Sequence, residues 1–236
     1  MPNFSFRSHQ LEIMDDLQCH GQEVNQTLLE IEFINKWLGG SSVTLDGVRC
    51  LVKGQKKREI IIADLGCGGG GMLRQLAGWG RKNNLSLKLI GIDANPNILD
   101  FARQQCIDFP EISFENIDIL SPEFENKKYD IVIGTLFYHH FSSDNLKTII
   151  SNLIKQADIG LVINDIHRHP IAYYSIKLLT YFFSKSAMVK YDAPLSVLRS
   201  FRYRELIDIF NSVGVKKYIL NWKWAFRWQA VVYSQT

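Results

Sequence analysis

The chain has 236 residues, of which 46% are hydrophobic and 22% are charged, and its formal net charge is +3. This composition is typical of a globular domain, and the charge is too small to indicate nucleic-acid binding. No run of about 18 apolar residues predicts a transmembrane segment, and no segment resembles a signal peptide. The four cysteines lack CxxC spacing, which favours reduced thiols in a cytoplasmic protein.

The amino-terminal part is predicted to be helical up to about Gly40. The segment SHQLEIMDDL begins with a candidate helix cap at Ser8, and EVNQTLLEIEFINKWLGG has helical apolar spacing that ends at a glycine pair. The basic segment KGQKKRE follows and is predicted to be a solvated connector. We therefore expect a helical cap at residues 1–57 and the main domain at residues 58–236.

Apolar runs typical of buried strands alternate with segments of helical spacing in the main domain. The predicted strands are EIIIADLG, LKLIGIDA, ISFENID, YDIVIGTL and IGLVINDI, and the predicted helices are GMLRQLAGWGRK, PNILDFARQQC and SSDNLKTIISNLIKQA. This alternation predicts a parallel sheet with helices on both faces. A further helix, RYRELIDIFNSVG, precedes two strands in VKKYILNWKWAFRWQAVVYS.

A glycine-rich turn, LGCGGGGML, follows the first strand and predicts a ligand site beside a helix amino terminus. Gly66, Gly68 and Gly71 satisfy the dinucleotide pattern GxGxxG, whereas Asp64, Gly66, Gly68 and Gly70 satisfy DxGxGxG. A carboxylate beside the turn would repel a pyrophosphate but suits a cationic amine. Asp64 therefore favours an amine-bearing ligand.

Acidic residues also follow the second and third strands. Asp93, in GIDANP, lies where a carboxylate accepts hydrogen bonds from both ribose hydroxyls. Asp118, in ENIDIL, would meet the exocyclic amine of an adenine, with Ile119 packing on the ring. The alternative for Asp118 is a turn-forming role.

These motifs, together with YDIVIGTLFYHHF, resemble the class I S-adenosylmethionine-dependent methyltransferases from about Ile60 to the end of the chain. The resemblance implies a Rossmann-like α/β fold with a seven-stranded, mostly parallel sheet in the order 3-2-1-4-5-7-6. It implies S-adenosyl-L-methionine as cofactor and S-adenosyl-L-homocysteine as product. The implied cofactor site comprises Asp64, Gly66, Cys67, Gly68, Asp93, Ala94, Asp118, Ile119, Thr135 and Leu136.

The segments LEIMDDL, INKWLGG, NDIHRHPIAYY and DAPLSVLRSF resemble a bacterial subgroup of small-molecule O-methyltransferases. That subgroup is associated with aromatic polyketide or quinone-type biosynthesis, and the resemblance implies a phenolic or quinol acceptor. The alternatives are methylation of a carboxylate, nitrogen or carbon, a nicotinamide-dependent oxidoreductase, a nucleic-acid methyltransferase, and a non-catalytic cofactor-binding protein. We expect a small apolar aromatic acceptor, no nucleic-acid partner, and a monomer or homodimer.

Four of the six histidines follow the fourth and fifth predicted strands, in TLFYHHF and NDIHRHP. Because a phenol has a pKa near 10 (about that of tyrosine), a general base accelerates its methylation at neutral pH. The carboxyl ends of parallel strands share one edge of the sheet, so the four histidines are expected to converge there. The predicted catalytic residues are His167, His140, His139 and Asp165, with His167 preferred as the base and Asp165 orienting it.

The segment from about 168 to 200 is predicted to be a helical, aromatic lid over the acceptor. The predicted acceptor-binding residues are His169, Arg168, Tyr173 and Tyr174. Simple burial of these aromatic rings is the alternative, and partial contact with a membrane surface is a third interpretation. No metal is predicted, because Asp165 lacks the acidic neighbours of a magnesium site and histidines favour softer ions.

Overall fold

The structure is a computed structural model that describes residues 2–56 and 59–234. Seven strands form one sheet in the order β3-β2-β1-β4-β5-β7-β6, which confirms the predicted order. Only β7 runs antiparallel to its two neighbours, β5 and β6. The strands are β1 (Ile60–Leu65), β2 (Leu87–Asp93), β3 (Ile112–Asn116), β4 (Tyr129–Thr135), β5 (Ala157–Ile166), β6 (Tyr218–Lys223) and β7 (Arg227–Tyr233).

Helices cover both faces of this sheet. They are α1 (Gln22–Trp37), α2 (Gly40–Val52), α3 (Gly71–Lys82), α4 (Pro96–Gln105), α5 (Pro122–Glu125), α6 (Ser143–Gln156), α7 (Pro170–Phe183), α8 (Ala187–Arg199) and α9 (Tyr203–Ser212). Within the described ranges, no helix is both long enough and apolar enough to cross a membrane.

Alternate residues of the central strands enter two separate apolar cores. On β4, Ile131 and Ile133 pack with residues of α2 and α3. Val132 points to the opposite face and packs with residues of α6 and α9. Because both faces are buried, the central strands are apolar along their whole length, as the sequence pattern predicts.

The predicted helix at SHQLEIMDDL is wrong: this segment is extended except for a 3-10 turn at Ile13–Asp15. The backbone amide of Ser8 donates to the carbonyl of Leu198 (3.0 Å), and the amide of Ile13 donates to the carboxylate of Asp192 (2.8 Å). These partners on α8 replace the hydrogen bonds that a helix would supply. We call residues 2–20 the amino-terminal strap.

Helix α2 was not predicted, and it begins directly after the glycine pair that ends α1. It packs on the sheet, where Gly47 lies against Val162 of β5. The predicted domain boundary falls at Lys57 and Arg58, which lie outside the described residues together with the end of the basic connector. The α2 contact joins the amino-terminal helices to the same core as the main domain.

The substitution Gly47→Ala tests the α2 contact. A Cβ atom at Gly47 would lie 2.5 Å from Cγ1 of Val162, so we expect overpacking to lower the free energy of unfolding by about 1–3 kcal/mol. The control is Gly78→Ala in α3, where a Cβ atom meets nothing within 4 Å. Because alanine has a higher helix propensity than glycine, Gly78→Ala should raise the free energy of unfolding by about 0.5–1 kcal/mol. Urea unfolding measures both, and a stabilised Gly47→Ala variant would contradict the packing.

Candidate active site

A cavity of about 680 Å³ opens at the carboxyl ends of the strands. Its size is typical of small-molecule sites, and its walls come from the strand-end loops, the strap, α1, α7 and α8. All ten residues of the predicted cofactor site line it, namely Asp64, Gly66, Cys67, Gly68, Asp93, Ala94, Asp118, Ile119, Thr135 and Leu136. The structure thus brings them together, and their roles in binding stay predictions.

The turn after β1 requires glycine at two positions. Gly66 and Gly68 have φ angles of 61° and 50°, which lie in the left-handed region that favours glycine. A Cβ atom on Gly66 would lie 2.2 Å from the Phe137 ring. The amide of Gly68 donates to Asp93 (3.3 Å). This bond fixes the glycine turn to the end of β2, and α3 then starts at Gly71 with its amino terminus towards the cavity.

Two buried carboxyl groups lie at the ends of β1 and β2. Burial and the nearby charge of Asp93 raise the pKa of Asp64 to about 8. Burial also raises the pKa of Asp93, although the amides of Asn95 and Gly68 oppose that shift. Because both groups are easier to ionise beside a positive charge, this end of the cavity favours a cationic ligand group.

The remaining predicted cofactor residues form the rims of the cavity. Asp118 accepts a hydrogen bond from the amide of Leu120 (2.9 Å), and its carboxylate is exposed. Thr135 ends β4, and its hydroxyl lies 2.7 Å from that of Thr44 in α2. Leu136 follows with a φ angle of 57°, which turns the chain sharply at the cavity wall.

His139 is the histidine that is both buried and oriented at the cavity. Its Nδ1 atom lies 2.7 Å from Asp165, and its backbone amide donates to the same carboxylate (3.0 Å). Burial opposes ionisation of Asp165, but the His139 ring and these hydrogen bonds hold the pKa of this carboxyl below its ordinary value. Since the carboxylate accepts the Nδ1 proton, Nε2 carries the lone pair. No protein group within the described ranges hydrogen-bonds Nε2.

The strap brings acidic residues to this histidine. Glu12 Oε1 lies 3.6 Å from His139 Nε2 and 3.5 Å from Nη1 of Arg199. Burial raises the pKa of Glu12 to about 7, even though His140 and Arg199 oppose the shift. Asp15 accepts from Arg199 and lies 2.5 Å from Nδ1 of His140. Both acids belong to the mispredicted helix, so sequence reasoning missed their role.

Glu12, His139 and His140 form the sole cluster with metal-ligand geometry within the described ranges, with ligand atoms within 4.8 Å of one another. Such a set suits a zinc-type ion. However, the guanidinium of Arg199 contacts Glu12, and Asp15 already binds His140. A fixed cation beside the ligands opposes a second one, so these contacts disfavour a metal ion at this cluster.

The predicted Asp165–His167 pair does not form, because His139 occupies the Asp165 carboxylate. His167 does not line the cavity. Its ring packs against Trp228, with 4.9 Å between centroids. Burial and the neighbouring positive groups lower the pKa of His167 to about 4, which makes it a weak base at neutral pH.

The four predicted acceptor-binding residues also lie outside the cavity lining. His169 caps α7, where its Nδ1 accepts from the amide of Ile171 (3.2 Å). The Tyr173 ring packs edge-on against Phe4 of the strap, and Tyr174 is exposed. The cavity is lined instead by other residues of α7, namely Ala172, Ser175, Ile176 and Leu179.

Arg168 is a structural residue with only 1% of its surface exposed. It donates to the carbonyls of Phe4 (3.0 Å) and Ser200 (2.5 Å) and forms an ion pair with Glu205 (2.6 Å). These contacts connect the strap, the start of α7 and α9, so Arg168 holds the strap in place.

Arg227, at the start of β7, was also missed by sequence reasoning. Among the described residues that line the cavity it is the one lysine or arginine. It donates to the side chains of Asn35 (2.8 Å) and Asn164 (3.4 Å), and its Nε atom lacks a partner. Burial lowers its pKa to about 10, although Asp165 opposes the shift. Its positive charge lies in an otherwise acidic cavity.

The methyltransferase-domain family matches residues 62–160, which extend from β1 into β5. A comparison with curated proteins found no match. The matched segment is therefore a methyltransferase domain, and it contains every predicted cofactor-site residue.

Solved methyltransferase structures share the fold. The citrinin polyketide synthase CMeT domain has a TM-score of 0.60 and 15% identity, and the match covers 80% of this chain and 51% of that one. The plantazolicin methyltransferase BpumL in complex with SAH has a TM-score of 0.63 and 16% identity, and the match covers 90% of this chain and 96% of that one. Human N-acetylserotonin methyltransferase in complex with SAM has a TM-score of 0.64 and 14% identity, and the match covers 91% of this chain and 57% of that one. The chain thus spans about half the length of the first of these structures.

The substitution Arg168→Met separates a structural from a binding role. Removing a buried charge that donates three or more hydrogen bonds should lower the free energy of unfolding by about 2–4 kcal/mol. The control Arg103→Met removes an exposed pair with Asp100 and should cost less than about 0.5 kcal/mol. Urea unfolding and calorimetric titration with S-adenosyl-L-homocysteine are the measurements. Full stability with weakened binding would contradict the structural role.

Proposed function

We propose that this chain, which carries a methyltransferase domain, transfers the methyl group of S-adenosyl-L-methionine to a hydroxyl of a small aromatic acceptor. The observation that carries the proposal is the orientation of His139. Asp165 holds its ring in the lining of the cavity that also contains the glycine turn, and Nε2, 3.6 Å from Glu12, has no hydrogen-bond partner among the described residues. That arrangement supplies a proton acceptor where a hydroxyl would meet the methyl donor.

The proposed cofactor position follows the charges at the strand ends. Asp64 lies beside the glycine turn and would bind the cationic amine. Asp93 would accept hydrogen bonds from the ribose hydroxyls. Asp118 and Ile119 would contact the adenine, and this order would put the sulfonium near Thr135.

His139 would take the acceptor proton while the oxygen attacks. When bound, S-adenosyl-L-methionine supplies a methyl group on a sulfonium; the oxygen–carbon bond forms as the carbon–sulfur bond breaks. The hydroxyl proton passes to Nε2 of His139, and Asp165 stabilises the resulting imidazolium. Glu12 Oε1 lies only 3.6 Å from Nε2, so the charge of Glu12 would influence proton transfer to this nitrogen.

Apart from the acids Glu12 and Asp15 of the strap, the cavity wall formed by the strap and α7 is mainly apolar. Its lining includes Leu11 and Met14 of the strap, Phe141, and Ile176 and Leu179 of α7. Such walls suit a flat, apolar molecule with few polar anchors. They also exclude water, which strengthens the electrostatic interactions at the reacting oxygen.

Methylation of an acidic carbon is the second candidate, because the same base would remove a proton from an enolisable carbon. The CMeT domain of the citrinin polyketide synthase has the same fold. A carboxylate acceptor is less well supported, since it is already ionised at neutral pH and needs no base.

Methyl transfer from labelled S-adenosyl-L-methionine to matched acceptors tests the proposal. The panel pairs each phenol or quinol with its methyl ether, and adds enolisable 1,3-dicarbonyls, benzoates and amines. We expect label on phenols but not on their ethers. Label on the dicarbonyls alone would support the carbon candidate, and label on benzoates alone would contradict the role of a base.

The substitution His139→Gln should lower kcat by about 10²–10⁴-fold at pH 7. Raising the pH should restore part of the rate, because the phenol then ionises without help. The matched control His167→Gln should retain the wild-type rate, since His167 lies outside the cavity. Calorimetric titration with S-adenosyl-L-homocysteine confirms that each variant still binds the cofactor. Equal losses in both variants would contradict the assignment.

Cofactor binding should release a proton from Asp64. Its pKa of about 8 leaves this carboxyl mostly protonated at pH 7, and a bound cationic amine lowers that pKa. Calorimetric titration with S-adenosyl-L-homocysteine at pH 7, in buffers of different ionisation enthalpy, counts the proton. Asp64→Asn should abolish the proton release. Asp118→Asn should weaken cofactor binding but leave the proton release unchanged. Buffer-independent heats in the wild type would refute this placement of the amine.

A further inference from the structure

Helix α7 carries two sets of side chains on different faces, one lining the cavity and one exposed. Its inner face lines the cavity through Ala172, Ser175, Ile176 and Leu179, which have helical spacing. The outer face carries Ile171, Tyr174, Leu178, Tyr181 and Phe182, and each side chain is 53–69% exposed. A helix that is apolar all round is normally buried on all sides. One helix therefore separates the cavity from an exposed apolar surface.

Exposed apolar side chains also lie on α1, which contacts the chain just after α7 ends. The carboxylate of Glu30 accepts hydrogen bonds from Ser184 and from the amide of Lys185, just after α7 ends. Leu29 and Phe33, which flank Glu30 on α1, are 43% and 68% exposed. We call the outer face of α7 together with Leu29, Phe33, Trp37 and Phe183 the apolar face. Contiguous apolar surface of this kind marks an interaction site.

The exposed charges on α7 and in the segment that follows it have one sign; the acid of α1 that contacts this segment, Glu30, accepts hydrogen bonds from Ser184 and from the amide of Lys185. Residues 166–191 contain no aspartate or glutamate, whereas the whole chain has 24 in 236 residues. The exposed lysines of this segment are Lys177, Lys185 and Lys190. Arg168, the remaining cation of the segment apart from histidine, pairs with Glu205. The surroundings of the apolar face therefore complement an anionic partner.

We propose that the apolar face docks on a lipid bilayer that contains anionic lipids. Tyrosine and tryptophan side chains favour the membrane–water interface, and apolar faces bordered by lysine bind anionic bilayers. A two-fold dimer through this face is disfavoured, because it would bring the lysines of both copies together while the neighbouring acid, Glu30, already accepts hydrogen bonds from Ser184 and from the amide of Lys185. Given the proposed methyl transfer, α7 would also form the wall through which a lipid-soluble acceptor reaches the cavity.

Vesicle flotation tests the docking without any methyl transfer, so its failure would leave the proposed reaction untouched. The wild type should bind vesicles of phosphatidylcholine and phosphatidylglycerol at least about tenfold more tightly than phosphatidylcholine alone. The double variant Leu178→Ser/Phe182→Ser should bind at least about tenfold more weakly. The control Ile107→Ser alters an 82% exposed isoleucine after α4 and should bind within about twofold of the wild type.

Charge reversal separates the two contributions. Lys177→Glu/Lys185→Glu should remove the preference for anionic vesicles, whereas Lys82→Glu/Lys88→Glu, on exposed residues of α3 and β2, should retain it. Wild-type protein that does not float, or an Ile107→Ser loss equal to that of the α7 variant, would overturn the proposal. So would light scattering that finds a dimer in the wild type and a monomer in the α7 variant, because a second copy would then cover the face.

Discussion

The buried pair of His139 and Asp165 is the constraint on which the acceptor side of the cavity depends. It ties the turn after β4 to the end of β5, with both side chains almost fully excluded from solvent. A buried carboxylate is tolerated only when hydrogen bonds compensate its lost hydration. The ring and the backbone amide of His139 supply these hydrogen bonds. Together they fix the histidine in one tautomer and one orientation.

The strap depends on that arrangement in turn. Arg7 donates to the backbone carbonyls of His139 (2.9 Å) and Phe141 (2.8 Å), and Glu12 Oε1 lies 3.6 Å from Nε2 of His139. The strap thereby forms part of the cavity wall. Because its contacts are mostly with backbone carbonyls and α8, the strap is held by the folded core and not by a helix of its own.

Local sequence patterns predicted the strands and the glycine turn, because buried strands and glycine turns are encoded within a few neighbouring residues. The strand-end residues predicted for the cofactor line one cavity, and their role in binding stays a prediction. The acceptor side was predicted poorly for a physical reason. Asp165 lies two residues from His167 but pairs with His139, 26 positions away in the chain. Nothing in the local pattern distinguishes these partners. The same holds for Glu12, which faces His139 only after the strap is placed.

The cavity combines groups with opposite environments. Asp64 and Asp93 create an acidic end that favours a cationic ligand, whereas the strap and α7 line the cavity mainly with apolar side chains, apart from Glu12 and Asp15 of the strap. The proposed reaction needs this division, since a charged donor and an apolar acceptor must meet near Thr135 and His139. Helix α7 continues this division, because it lines the cavity with one set of side chains and exposes apolar side chains to solvent with another.

A series of phenols of graded pKa tests the role of His139 most directly. The measurement is kcat/KM at pH 7 for the wild type and for His139→Gln, with the phenols otherwise matched in size. If His139 is the base, the advantage of the wild type should grow as the phenol pKa rises, and it should vanish for phenols that are already ionised at pH 7. A constant ratio across the series would contradict base catalysis by His139.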